Sequence, residues 1–190
     1  MDTYTAFGGH TRITTGPLAK VALVLKHAAP TDAPVMIFSD RTGQPIDLDL
    51  RGSDREILAR LPSDAGSAAT EQPTEPRGRG RPKLGVVARE VTLLPQHWEW
   101  LNAQPGGASV ALRKLVHDAR RASGDTDRAR EARDAAYHFM SGIGSHLSQF
   151  EEASRALFAG DLPRLAALIA TWPADIRDHV VALANRHRGE

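Results

Sequence analysis

The chain has 190 residues, 41% of them hydrophobic and 25% charged, with a formal net charge of +1 and no cysteine. That apolar share supports a folded core, in one domain or two small ones, while the missing thiols exclude a disulfide framework, a cysteine nucleophile and cysteine-ligated zinc. The amino-terminal MDTYTAFGGH has no basic segment leading into an apolar core, and no stretch approaches the roughly 20 apolar residues that span a bilayer, so a cytoplasmic protein with no membrane partner is expected.

Residues 1–61 read as a small α/β module. Tyr4 to Phe7 and Arg12 to Thr15 suit a hairpin across Gly8-Gly9, and Pro17 stands where a helix begins, with Leu18, Val21, Ala22 and Leu25 along one face. Val35-Met36-Ile37-Phe38 is a short apolar strand, and Asp40-Arg41-Thr42-Gly43 a turn. Ile46, Leu48 and Leu50 then alternate with Asp47, Asp49 and Arg51 in the period of a half-buried strand. A helix from Asp54 to Leu61, capped by Ser53 or Asp54, completes a ββαββ order. Hard cations favour carboxylate oxygens, yet Asp40 suits the turn, and Asp47 and Asp49 the wet face of the strand, so no metal is expected. His10 and His27 stand alone as surface or packing histidines, and Gly8-Gly9 lacks the spacing and the following Lys-Ser/Thr of a phosphate loop.

Residues 62–84 form a flexible linker that ends in a basic arm. Pro62 to Pro76 is small, polar and proline-containing, a composition that buries too little to order itself. From Arg77 to Arg89 there are five cations and no acid. Arg79-Gly80-Arg81-Pro82, flanked by Arg77 and Lys83, resembles the AT-hook, whose core lies in the minor groove of A·T-rich DNA. The physics is independent of that likeness: a narrow A·T minor groove concentrates negative potential that attracts guanidinium groups, and glycine lets the backbone approach the groove floor. Solvated linkers and RNA-binding tracts share this composition.

Residues 85–123 give a strand and two helices. Val86 to Leu94 is β-prone, and Pro95 ends it and opens a helix whose apolar side holds Trp98, Leu101 and Trp100. Pro105-Gly106-Gly107 breaks that helix. Ser109 caps a second one, with Leu112, Leu115, Val116 and Ala119 on one side and Arg113, Lys114, Arg120 and Arg121 on the other. One strand with two helices is an unfinished unit that a homodimer would complete by pairing the strand near Arg89–Leu94 with its copy. These residues resemble the ribbon-helix-helix DNA-binding family, from Arg89 to Arg121, with a Leu94-Pro95 helix entry and a Gly107-Ala108-Ser109 turn. The resemblance implies a ribbon in the major groove, with Arg89 at the ribbon, and a phosphate held at Ala108 and Ser109. Counting back from Leu94 puts Arg89, Val91 and Leu93 on the DNA face; a one-residue slip puts Val91 and Leu93 inside and exposes Glu90, Thr92 and Leu94. In neither register is the ribbon a good base reader, so affinity would come from phosphates and the arm.

Residues 126–190 read as a helical bundle. One helix starts near Thr126 or Asp127 and runs to Met140, interrupted by Gly142 and Gly144; Leu147 to Phe158 is a second, closed by Gly160; Pro163 to Trp172 and Ala174 to Asn185 are two more. His138, His146 and His179 with Glu151, Glu152 and Asp175 lack both His-Glu-x-x-His and the Glu-x-x-His spacing of di-iron bundles, so neither a metal nor catalysis is expected.

The segments TAFGGH, GPLAKVAL, GRGRPKLGVVAREVTLLPQHWEWL, QPGGAS, FEEASRALFAGD and WPADIRDH together resemble an uncharacterised bacterial domain-of-unknown-function family (DUF2239-like), which brings no activity with it. The expectation is an α+β, non-enzymatic protein without cofactor that binds double-stranded, A·T-rich DNA as a homodimer, in the manner of a transcriptional regulator. The DNA contacts fall to Arg77, Arg79, Gly80, Arg81, Lys83, Arg89, Ala108 and Ser109. The rival is an assembly or adaptor module whose basic linker is merely solvated.

Overall fold

A computed structural model describes residues 2–29, 33–62 and 87–188. Among them are four strands and seven α helices: β1 Tyr4–Gly8, β2 Thr11–Gly16, α1 Leu18–His27, β3 Val35–Ser39, β4 Pro45–Ile46, α2 Asp54–Arg60, α3 Pro95–Asn102, α4 Gly107–Gly144, α5 Phe150–Ala159, α6 Leu162–Leu168 and α7 Ala174–Asn185, which runs into a short 3-10 helix, Arg186–Arg188. The α+β class is as expected. Two compact units divide the chain: the first comprises Met1–Asp64 with Gly124–Glu190, the second Ala65–Ser123.

In the first unit the sheet order is β2-β1-β3-β4, with every neighbouring pair antiparallel. The alternation of side chains gives this sheet two different faces. Thr5 pairs with Phe38 and Phe7 with Met36 on one face, whereas Ala6 pairs with Ile37 on the other. The Ala6 face is covered by Val21 and Leu25 of α1, with Ile13 and Ile46 beside them. The Phe7 face packs on the carboxy-terminal helices, joining Phe139, Met140, Leu157, Ile169, Ile176 and Val180 in one core. Rings of Phe7 and Phe38 meet Phe139 at centroid distances of 5.3 and 4.9 Å, each such pair adding about 0.5–1.5 kcal/mol beyond the area it buries.

This shared core departs from the sequence reading, which treats 1–61 and 126–190 as separate modules. The short helices α1 and α2 leave a whole apolar sheet face open, and the last third of the chain closes it. A register irregularity between Ala6 and Phe7 interrupts the β1–β2 ladder, with Ile13 the extra residue. The strand expected through Leu50 is shorter, since the ladder ends at Ile46. The alternation itself persists: Ile46, Leu48 and Leu50 are half-buried, and Asp47, Asp49 and Arg51 exposed. At α2, Ser53 accepts from the Glu56 amide while the Glu56 carboxylate accepts from the Ser53 amide, a capping box.

The expected break between residues 122 and 126 is absent, because α4 runs unbroken from Gly107 to Gly144. No proline occurs between Pro105 and Pro163, and one glycine costs a helix only about 1 kcal/mol relative to alanine. Pairs one turn apart, Arg128 with Asp125 and Arg130 with Asp127, help it across the polar stretch. Gly142 does not interrupt the helix either. A Cβ there would lie 2.9 Å from the Phe38 ring, so its smallness serves the packing of helix on sheet. Gly160, at φ 73°, closes α5 as expected.

Candidate functional site

The nucleic-acid-facing residues expected from sequence fall in the second unit. Arg77, Arg79, Gly80, Arg81 and Lys83 lie outside the described residues. Arg89 and Ser109 are exposed and Ala108 is half-buried. Ala108 and Ser109 occupy the first turn of α4, directly after Gly106 and Gly107, whose positive φ angles of 86° and 73° turn the chain from α3 into α4. A helix start presents backbone N–H groups without intrahelical partners, a favourable place for an anion.

Around this turn the unit is apolar and incompletely covered. Leu101 is buried, and Leu94 leads into α3 with Pro95 at its first turn. Leu93, His97, Trp100, Leu101, Leu112 and Leu115 line an apolar cavity of about 280 Å³. Trp100 and Leu115, which the sequence reading places on the apolar sides of their helices, are 53% and 47% exposed, and Val91, Leu94 and Val116 more so. Residues 87–94 adopt no strand and pair with no described segment of the chain. An isolated β-prone segment beside an open apolar groove has both its backbone groups and its side chains unmatched.

Charge is partitioned between the units in a way the net value conceals. Residues 65–123 carry nine Lys/Arg against five Asp/Glu, a net of +4, whereas the remaining residues carry fifteen against eighteen, a net of −3. A polyanion would therefore be drawn to the second unit.

Over residues 3–184 the chain matches the family described as "Uncharacterized protein conserved in bacteria (DUF2239)". The chain belongs to that family. Neither the curated proteins nor the solved structures give a match. For this DUF2239 member the chemistry must therefore be read from its own side chains.

In the first unit the expected histidine and carboxylate candidates make separate contacts. His138 donates from Nδ1 to the Thr42 carbonyl at 3.0 Å, His146 stacks on His10, Asp175 accepts from the Arg12 amide at 2.8 Å, and Glu152 pairs with Arg155. His27 is not isolated, since it shares Asp54 with Lys26 and ties α1 to α2. Among the described residues no three His, Asp or Glu side chains gather as a metal cage.

One polar cluster escapes the sequence reading. Asp40 accepts from the Thr5 hydroxyl at 2.8 Å, and its Oδ1 lies 3.5 Å from His179 Nε2, which has no hydrogen-bond partner and whose ring packs edge-on against both Phe7 and Phe139. Burial pushes the His179 imidazole below its ordinary pKa; the Asp40 carboxylate pulls it back and the Arg12 charge adds to the lowering. Arg186 donates to the Asp40 and Arg41 carbonyls and clamps the same turn. The only sequence signal was Thr5, an inward-facing polar residue between apolar neighbours in β1.

Proposed function

We propose that the protein binds double-stranded DNA without catalysis, through the basic second unit acting as a dimer that resembles a ribbon-helix-helix domain. The observation that carries this reading is the unmatched segment 87–94 beside an open apolar groove, within a unit of net charge +4. In a dimer the segment pairs with its copy and the two grooves cover each other's Trp100 and Leu115, an isologous arrangement. Leu93 already lines the groove, which favours the register with Val91 and Leu93 inward and Glu90, Thr92 and Leu94 outward. That face reads bases poorly. Affinity then comes from Arg77 and Lys83 on phosphates, from Arg79 and Arg81 in an A·T minor groove over Gly80, from Arg89 beside the ribbon, and from a phosphate at Ala108 and Ser109.

Binding of the full chain to A·T-rich and mixed-sequence duplexes, titrated against salt, tests this. Log affinity should fall linearly with log salt at about −0.9 per phosphate contact, and Arg79→Ala with Arg81→Ala should flatten the slope by about two contacts and remove the A·T preference. The second reading is an assembly module without nucleic acid, favoured by the same exposed apolar groove. A chain that self-associates but binds neither duplex at low salt would establish it.

A further inference from the structure

The first unit holds a half-open cleft of about 320 Å³, walled by the residues before β1, the β3–β4 turn, α4 and the 3-10 helix after α7. Its charged lining is three guanidinium groups, from Arg41, Arg128 and Arg186, set against the carboxylates of Asp2 and Glu131. How each cation is held decides how much charge remains for a ligand. Arg186 is fixed by the Asp40 and Arg41 carbonyls, and among the described residues no carboxylate pairs with it, so its orientation is set while its charge is not cancelled. Arg41 uses Nε on Asp2 Oδ2 at 3.2 Å, leaving its two terminal nitrogens without a described partner. Arg128 pairs with Asp125, whose side chain is 94% exposed, and such a pair is easily exchanged for a better anion. His187 adds an imidazole to the same wall.

The turn that carries Arg41 is rigid. Gly43 is buried against the α4 backbone, His138 holds the Thr42 carbonyl and Arg186 the two before it. Groups held on such a scaffold lose little freedom when a ligand arrives.

We propose that this cleft binds a phosphomonoester with a hydroxylated body, a molecule the size of a sugar phosphate. Near neutral pH a phosphomonoester carries about −1.5 to −2 charges and offers three acceptor oxygens, the complement of several guanidinium forks. The volume lies at the lower end of ligand pockets, about 300–1,000 Å³, and exceeds what a bare phosphate fills. The rest of the wall includes Asp2 and Glu131, and Glu131 has no ion-pair partner among the described residues. The Glu131 carboxylate there accepts from ligand hydroxyls, whereas an apolar body would leave it without a partner. The proposal does not depend on DNA binding, because none of its residues belongs to the second unit.

Calorimetric titration of the full chain in phosphate-free, low-salt buffer, with ribose 5-phosphate, inorganic phosphate, ribose and succinate as probes, tests it. Ribose 5-phosphate should bind at least about tenfold more tightly than inorganic phosphate or succinate, and ribose should give no heat. Arg41→Ala and Arg128→Ala should each weaken ribose 5-phosphate by about tenfold or more, the range of a lost charge-assisted hydrogen bond. Glu131→Gln should weaken ribose 5-phosphate while leaving inorganic phosphate as tight or tighter. The pair Arg79→Ala with Arg81→Ala, which addresses the DNA reading, should change nothing here. Absence of ribose 5-phosphate binding, equal affinity for inorganic phosphate, or unchanged binding in Arg128→Ala at wild-type melting temperature would each overturn the proposal. Arg128 serves as the deciding position because its pair is solvent-facing, so its loss costs the helix little, and the melting temperature checks that cost.

Discussion

Gly43 shows how one backbone position can govern a packed junction. It is buried at φ 68°, and a Cβ there would stand 1.8 Å from the Ala135 carbonyl oxygen, inside the backbone of α4. Gly43→Ala is expected to destabilise the chain by about 2 kcal/mol or more, read as a lower urea midpoint. His179 makes a second residue-scale prediction, in pH. Because burial lowers its pKa, the unfolded chain binds more protons than the folded chain below about pH 6.5, so stability declines as pH falls from there toward the folded value and then levels off. Urea unfolding at about pH 7.5 and about pH 5.5 should show that loss, and His179→Phe should reduce it. Asp54, held low by Lys26 and His27, and Glu56, held low by Ser53, lose their favourable contacts only below the ordinary carboxylate range, outside this window. The turn at Asp40-Gly43 was legible from residue types; the histidine that reaches it from α7 was not, because nothing in local spacing links positions so far apart.

Helix periodicity and end signals located most elements. Of the two caps offered for α2, Ser53 is the one used, and Gly160 and the span from Ala174 to Asn185 stand where the residues predict. The errors share a cause. Gly142 and Gly144 read as interruptions; α4 does end at Gly144, but at Gly142 the helix continues, because one glycine is a modest penalty that tertiary contact can outweigh and its smallness admits Phe38. Likewise the alternation after Ile46 foretold burial correctly but not a ladder, which needs a partner strand. In the second unit, α3 and the start of α4 expose the apolar sides that the periodicity marks. If a second copy covers it, Leu115→Asp should convert a dimer to a monomer in light scattering with helical content unchanged. A monomeric wild-type chain would remove the partner from the account.

At the scale of the whole molecule, the first unit is discontinuous in sequence: β1 to α2 and the helices from Gly124 onward share a core, with residues 65–123 inserted between them. Composition cannot reveal such an arrangement, because each half alone looks like a small module with an ordinary apolar share. The linker composition after Pro62 marks the first seam, but the second lies within α4, where the helix continues across it. Charge follows the same division, with the insert basic and the remainder acidic, and no helix among the described residues is long and apolar enough to cross a membrane. If the chain binds DNA as proposed, repulsion between the polyanion and the acidic unit would favour contact at the insert, and removing arm charge should affect binding more than equal changes elsewhere.

The mass of the complex formed by the full chain with a short A·T-rich duplex at low salt, measured by sedimentation, tests the central claim most directly. Two chains per duplex site are expected, dissociating together as salt rises. A single chain on each duplex, or a duplex that sediments alone, would contradict it.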